Sequence, residues 1–362
     1  MAEELESRFV LVDTSMYESK NYQFHQYALG RFKELCNEHK LYLLMNSVIE
    51  NEVRSHLVNK GHEAAKHIKD FKKTIKILRN LPDLKHHGIF EELQKTTVEK
   101  MLLDKFQDYL DEAVYENLNL DTAKISSIVT KYFNNLPPFS DGKKNEFPDA
   151  FILESLLAWS KDKKTQVYVL STDGDMESFC NESDGWLIYA NDLDKFISLV
   201  LNNETELADI SKFAEKQFNT LLKKIEETLE ESINEIEYTT IGYDIDDEVD
   251  DINAYDLQIL EKNIIKADRE YAEFSLAIKY TVDAWHRLTD YDRSIWDPED
   301  KKYLFTAQTS RKVLHEVHCK AYVWIEFEDG LAVNTFLSEA NIEDSYIELD
   351  PDDGPELDHR EH

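Results

Sequence analysis

Phe9-Val10-Leu11-Val12-Asp13-Thr14-Ser15 is a short apolar run that stops at a carboxylate. The same punctuation recurs along the first 200 residues. Leu41 to Met45 leads into Ser47-Val48-Ile49-Glu50-Asn51-Glu52-Val53, and Val167-Tyr168-Val169-Leu170 ends in Ser171-Thr172-Asp173-Gly174-Asp175. Pro148-Asp149-Ala150 opens an apolar, helix-like stretch. Open parallel sheets bind ligands at the carboxyl ends of their strands. Carboxylates brought there from several strands make a small, hard oxygen site that suits Mg²⁺ or Mn²⁺.

Around these runs, strand and helix alternate. Strands are expected at 8–12, 41–45, 166–170 and 186–190, and helices at about 22–39, 48–60, 62–80, 91–118, 121–134, 148–162 and 192–202. Such alternation predicts an α/β unit, a parallel sheet flanked by helices in a Rossmann-like three-layer arrangement, over residues 1–203. The gap between the second and third expected strands exceeds any single crossover, so a helical insertion is expected at about 62–134. The breakers Leu136-Pro137-Pro138-Phe139-Ser140-Asp141-Gly142 end it. Residues 204–240 read as a linking helix with an apolar stripe through Phe218, Leu222, Ile225 and Leu229.

Residues 241–252 are almost pure acid and read as a solvated linker. A calcium loop is excluded there, because Val249 stands where the turn glycine belongs and Tyr255 where the closing glutamate belongs. From about 270 the period changes to two. Val317, Cys319, Ala321, Val323, Ile325 and Phe327 share one face of a strand, and Asp329-Gly330 is a favoured hairpin turn into Leu331–Leu337. Residues 241–350 are therefore expected to form a smaller α+β accessory domain with an antiparallel sheet, and 351–362 a disordered acidic tail.

The chain has 362 residues and a net charge of −33. Residues 1–200 carry 25 Lys/Arg against 33 Asp/Glu, while 201–362 carry 16 against 41, so most of the excess lies in the second half. That half repels polyanions and offers a surface to a basic protein or regulatory partner. The first ten residues are acidic rather than basic and apolar, so no signal peptide is expected. Cys36, Cys180 and Cys319 are too scattered for a disulfide framework or a zinc knuckle, and no apolar run is long enough for a membrane span. These features together predict a cytoplasmic protein without a membrane partner.

Residues 8–200, the insertion excepted, resemble a PIN domain, the PilT N-terminus nuclease fold. The resemblance rests on four motifs in order: Val12-Asp13-Thr14-Ser15, Glu52 within Val48–Val53, Pro148-Asp149-Ala150-Phe151-Ile152, and Ser171-Thr172-Asp173-Gly174-Asp175. The insertion and the second domain set this chain apart from small PIN toxins. The resemblance implies a Mg²⁺- or Mn²⁺-dependent nuclease, with RNA as the family's preferred substrate and roles in toxicity, defence or RNA processing. Asp13, Glu52, Asp149 and Asp173 become the catalytic, metal-holding set. Asp175 supports the metal from behind, and Thr14 and Ser171 orient carboxylates. Glu52 is preferred to Glu50 because the family glutamate precedes an apolar residue, here Val53.

A single Asp at a strand end is ordinarily a helix cap; it is the joint pattern that points to a site. Residues 54–79 add a basic block in an acidic protein. Lys66, Lys69 and Lys73 border the apolar face of Ile68, Phe71, Ile75 and Leu78, and Lys143 and Lys144 precede Asp149. These five lysines are the expected nucleic-acid contacts. Glycine-rich phosphate loops are absent, which argues against an NTPase. Position 15 is Ser, so the Asp-x-Asp loop of a metal-dependent phosphatase is missing. A competing reading is a catalytically silent PIN scaffold that binds a basic partner through its acidic half.

Overall fold

A computed structural model of the chain describes residues 4–81, 87–90, 94–139, 146–204, 208–241, 247–328 and 333–361. The chain divides into two compact units, 1–200 and 201–362.

The elements of the first unit are, in chain order, β1 (Phe9–Val12), α1 (Thr14–Ser19), α2 (Tyr27–Asn37), β2 (Tyr42–Met45), α3 (Ser47–Thr74), α4 (Lys95–Glu112), β3 (Tyr115–Asn117), α5 (Ile125–Asn134), α6 (Phe147–Lys163), β4 (Val167–Leu170), α7 (Gly174–Asn181), β5 (Leu187–Ala190) and α8 (Leu193–Asn203). The five strands form one sheet in the order β3-β2-β1-β4-β5. All pairs are parallel, with Leu11 opposite both Leu44 and Val169. Val10, Leu11, Val12, Val167, Val169 and Leu170 are fully buried, as expected of strands covered on both faces. The chain reverses direction across the sheet between β1 and β4, the crevice where open α/β sheets hold ligands.

Three details depart from the sequence reading. The expected helix 91–118 ends at Glu112, and Tyr115–Asn117 instead adds an edge strand on β2. These three residues are exposed, so no apolar run marks them. The expected pair of helices at 48–60 and 62–80 is one helix, α3, followed by a 3₁₀ turn over Ile75–Asn80. Gly61 lies inside α3 because α4 crosses close by: a Cβ there would meet Leu102 Cδ1 at 2.8 Å.

The second unit opens with α9 (Ala208–Glu235), followed by β6 (Glu237–Thr240), β7 (Glu248–Ala267), β8 (Tyr271–Asp297), β9 (Lys302–Glu328), β10 (Val333–Ile342), β11 (Tyr346–Leu349) and β12 (Glu356–Glu361). Its main sheet is antiparallel in the order β10-β9-β8-β7, with β12 also paired to β9. Here too the sequence reading needs correction. Among the described residues of 204–240, α9 is not a free-standing link, since it packs on the antiparallel sheet. It buries Phe218, Ile225, Leu229 and Ile233, with Phe218 4.8 Å from the ring of Phe274. The acidic stretch is strand from Glu248 onward, where Arg287 pairs with Glu248 and Asp250. The tail is not free from 356 to 361: that segment is β12. The turn Asp329-Gly330 lies outside the described residues. The alternation on β9 holds for Val317, Ala321, Val323, Ile325 and Phe327, but Tyr322 on the opposite face is buried too, with its hydroxyl on Glu343.

Two histidines are enclosed in this unit. His286 of β8 and His315 of β9 place their Nε2 atoms 2.8 Å apart, and Thr240 Oγ1 lies 2.7 Å from His286 Nδ1. Burial, reinforced by the neighbouring His315 and Arg311, pushes His286 down to about 4, and burial lowers His315 as well. Between the ordinary value of 6.5 and about 4, the folded state therefore binds fewer protons than the unfolded chain, so stability falls as pH falls through that window. The urea midpoint of the second unit, read by tryptophan emission, is expected to drop from about pH 6.5 to about pH 4. The His286→Gln variant should lose most of that dependence. A midpoint that stays flat in the wild type would show that the pair is not held neutral.

Candidate active site

β1 delivers Asp13 to the carboxyl end of the sheet, and β4 delivers Ser171 beside it. The backbone N–H of Asp13 donates to the Leu170 carbonyl at 2.9 Å, which fixes the two strand ends together. Asp13 Oδ2 then accepts from the Ser15 amide (3.1 Å), the Ser15 hydroxyl (2.5 Å) and the Ser171 hydroxyl (3.0 Å). The Asp173 amide donates to Ser171 Oγ at 3.0 Å, so Ser171 links the first and fourth motifs. Among the described residues, all side-chain bonds of Asp13 fall on Oδ2, which leaves Oδ1 without one.

The helix-cap reading of these aspartates holds in part. Asp13 is the N-cap of α1, and Asp173 is the N-cap of α7, accepting from the Asp175 amide at 2.7 Å. Asp149 is different. The helix α6 starts two residues earlier, at Phe147, with Glu146 as N-cap, so Asp149 lies inside the first turn and caps nothing.

Glu52 sits on the second turn of α3, whose start is fixed by Asn46 capping the amides of Val48 and Ile49. The buried Thr14 hydroxyl donates to Glu52 Oε2 at 3.0 Å, joining the first and second motifs. Glu50 turns to Arg54 instead, at 2.9 Å. Burial raises the Glu52 carboxyl, with Asp13 and Glu146 adding to the effect and the Thr14 hydroxyl and His56 opposing it. Asp149 is pushed from its ordinary 3.8 up to about 8: burial is the largest cause, followed by a hydrogen bond to Glu146 and the charges of Asp13, Glu146 and Glu52. A protonated Asp149 can therefore donate its proton in a hydrogen bond to Glu146. Burial raises Tyr189 on β5 to about 12, with the fields of Glu177, Asp173, Cys180 and Asp13 adding to it.

The structure thus joins Asp13, Glu52 and Asp149 into one electrostatic group and ties Asp173 to Asp13 through Ser171. Asp175 lies in the first turn of α7, and its amide bonds the Asp173 side chain. Sequence reading missed Glu146, Ser15 and Tyr189. Glu146 stands three residues before Asp149, one helical turn away, and that spacing was the available signal. Of the expected lysines, Lys66, Lys69 and Lys73 lie on the distal part of α3, and Lys143 and Lys144 fall outside the described residues.

The donor set fits a divalent cation in its chemistry: hard carboxylate oxygens that repel one another, and a buried Asp13 with one oxygen unengaged. Among the described residues no three His, Cys, Asp or Glu side chains form a ready-made metal cage, so an ion would have to draw the carboxylates inward. No helix of the described residues is long and apolar enough to cross a membrane.

A raised carboxyl makes a stability statement with a definite sign. Between about pH 4 and pH 8 the folded protein holds a proton on Asp149 that the unfolded chain has lost, so this group's contribution falls as pH rises. For metal-free protein, Asp149→Asn is expected to flatten the pH dependence of Tm across that window. It should raise Tm at pH 8 by several degrees, at ~2–4 °C per kcal/mol for a domain of this size. Parallel Tm–pH curves for the two proteins would show that Asp149 is not held protonated.

Comparison with known proteins adds one finding. No curated protein and no solved structure gives a significant match to the chain. The family model of the PIN domain matches residues 10–176, a span that contains all four acidic motifs and every strand of the parallel sheet except β5 and the first residue of β1. Residues 10–176 of the first unit thus match the PIN-domain family, whose members have a nuclease-type fold.

Proposed function

We propose that this protein is a divalent-metal-dependent nuclease that hydrolyses phosphodiester bonds, with RNA as its substrate. The observation that carries the reading is the meeting of carboxylates from β1, α3 and α6 at the carboxyl end of a parallel sheet in a PIN domain. PIN domains are typically nucleases and generally use divalent metals. The choice of RNA follows that family habit.

In this reading Asp13 and Asp149 hold Mg²⁺ or Mn²⁺, with Glu52 and Asp173 completing the site and Asp175 supporting it from behind. When bound, the ion supplies positive charge to the phosphate and lowers the pKa of water. The chain's own residues do the rest. Ser15 and Ser171 clamp Asp13 Oδ2, which fixes the direction of Oδ1. Thr14 holds Glu52 by one oxygen. Glu146 hydrogen-bonds Asp149, and together with burial and the charges of Asp13 and Glu52 it favours the protonated form of Asp149. His56, one turn along α3 from Glu52, partly offsets the charge of that carboxylate.

Asp13→Asn and Asp149→Asn are each expected to lower Mn²⁺- or Mg²⁺-dependent cleavage of a mixed RNA and DNA panel to background, with the fold intact by circular dichroism. Thr14→Val, which only releases Glu52, should cost about 10–100-fold, the range for residues that orient metal ligands. Wild-type turnover in either Asn variant would rule out the assignment. A wild-type protein that neither cleaves the panel nor gains Tm with Mn²⁺ would be a silent scaffold instead.

A further inference from the structure

The distal end of α3 and the start of α4 enclose a groove of about 790 Å³. Its size falls within the roughly 300–1,000 Å³ of sites that take small organic ligands. Lys69, Lys72 and Lys73 of α3, Lys76 of the 3₁₀ turn after it, and Lys95 of α4 line it. Ile68 and Phe90 add an apolar, aromatic part to its lining. α4 begins at Lys95 with no side-chain cap from Gln94, so the positive end of its backbone dipole adds to the lysines. Lys73 is tethered by Asp70 at 2.6 Å. Lys66, expected from sequence to bind substrate, does not line the groove.

A lysine cluster with an apolar, aromatic part matches a single-stranded polynucleotide, whose phosphates meet the cations and whose bases meet that part. In a chain of net charge −33, such a cluster also stands against the trend of the rest of the surface. Position on the helix supplies the further argument. Glu52 and Lys69 are on the same unbroken α3, 17 residues apart, and Lys73 is 21 residues from Glu52. At 1.5 Å per residue the separation is about 26–32 Å. At about 100° per residue, Lys69 and Lys73 lie roughly 100° and 60° around the axis from Glu52, within one half of the helix surface.

We propose that this groove is a distal anchor for single-stranded nucleic acid, and that α3 acts as a ruler between the anchor and the carboxylate site. The inference rests on the nuclease reading for its second half: a strand bound at both places must span the helix, so long substrates gain affinity that short ones cannot. The groove itself requires only a polyanion with bases.

The test uses the full chain carrying Asp149→Asn, so that nothing is cleaved. Fluorescent single-stranded RNA and DNA of about 4 to 20 nucleotides, bracketing the roughly 4–16 nucleotides that single-strand binders cover, are titrated by anisotropy. Affinity is expected to rise steeply once the strand spans both places. Replacing Lys69, Lys73, Lys76 and Lys95 with Gln should remove that rise and reduce the salt slope by about 0.7 per lost phosphate contact. Phe90→Ala should weaken the long oligonucleotides about fivefold or more. The same lysine substitutions in the otherwise wild-type chain should leave the Tm gain with Mn²⁺ unchanged, which shows that the fold and the carboxylate site survive. Unchanged affinity and salt slope in the folded lysine variant would overturn the proposal, as would binding to anionic vesicles but not to oligonucleotides. Lysine-dependent oligonucleotide binding by a protein with no Mn²⁺ response and no cleavage would sink the nuclease reading and leave the anchor standing.

Discussion

Asp13 is held by hydroxyls from two neighbouring strand ends, its own Ser15 and the Ser171 that follows β4. The rest of the first unit is arranged around this clamp. The parallel pairing of β1 with β4 brings the two ends level, and the backbone bond from Asp13 to Leu170 keeps them so. With Asp13 fixed, every other acid that approaches must do so against its charge. The protein meets that cost by local means: a hydroxyl on Glu52, a hydrogen bond between Asp149 and Glu146, and a backbone amide on Asp173. Each device satisfies part of a carboxyl group rather than all of it. On the proposed metal-dependent reading that compromise has a use, because fully satisfied carboxylates would have little left to offer an ion.

Two of the aspartates do double duty. Asp13 and Asp173 cap helices as ordinary strand-end aspartates do, and the same caps fix them at the carboxyl end of the sheet. The structural and functional readings of these residues are not rivals, since the cap supplies rigidity to the site. Asp149 has no such structural use, and it is also the acid whose charge is most strongly opposed by its surroundings.

The four buried strands of the first unit were legible because unbroken apolar runs leave few alternatives. Two of the acidic motifs, at Asp13 and Asp173, were legible because each sits where such a run stops, and those at Glu52 and Asp149 because each opens a helical stretch. β3 was not, because Tyr115-Glu116-Asn117 is exposed and carries no apolar signature; its place comes from the open edge of β2. Glu146 escaped notice because its role depends on where α6 begins, and helix starts are poorly marked when the cap makes no side-chain bond. The acidic strand β7 was misread for a related reason. Its charges look solvated in isolation, and only the facing Arg287 shows that several belong to a sheet. Reading α9 as a link failed because an amphipathic stripe states that a helix is covered without stating by what.

The short strand β12 carries a consequence of another kind. It lies along β9 beside Thr309–Val313, beyond the stretch of β9 that β10 covers. Without it, that length of a 27-residue strand would present unpaired N–H and C=O groups to solution. Exposed edges of this sort template pairing between chains, and proteins guard them with charge or with a covering segment. Residues 356–361 supply both, being acid-rich and already paired. A segment with the composition of a solvated tail thus serves as a guard against self-association, and shortening the protein at this end trades a few polar residues for a sticky edge.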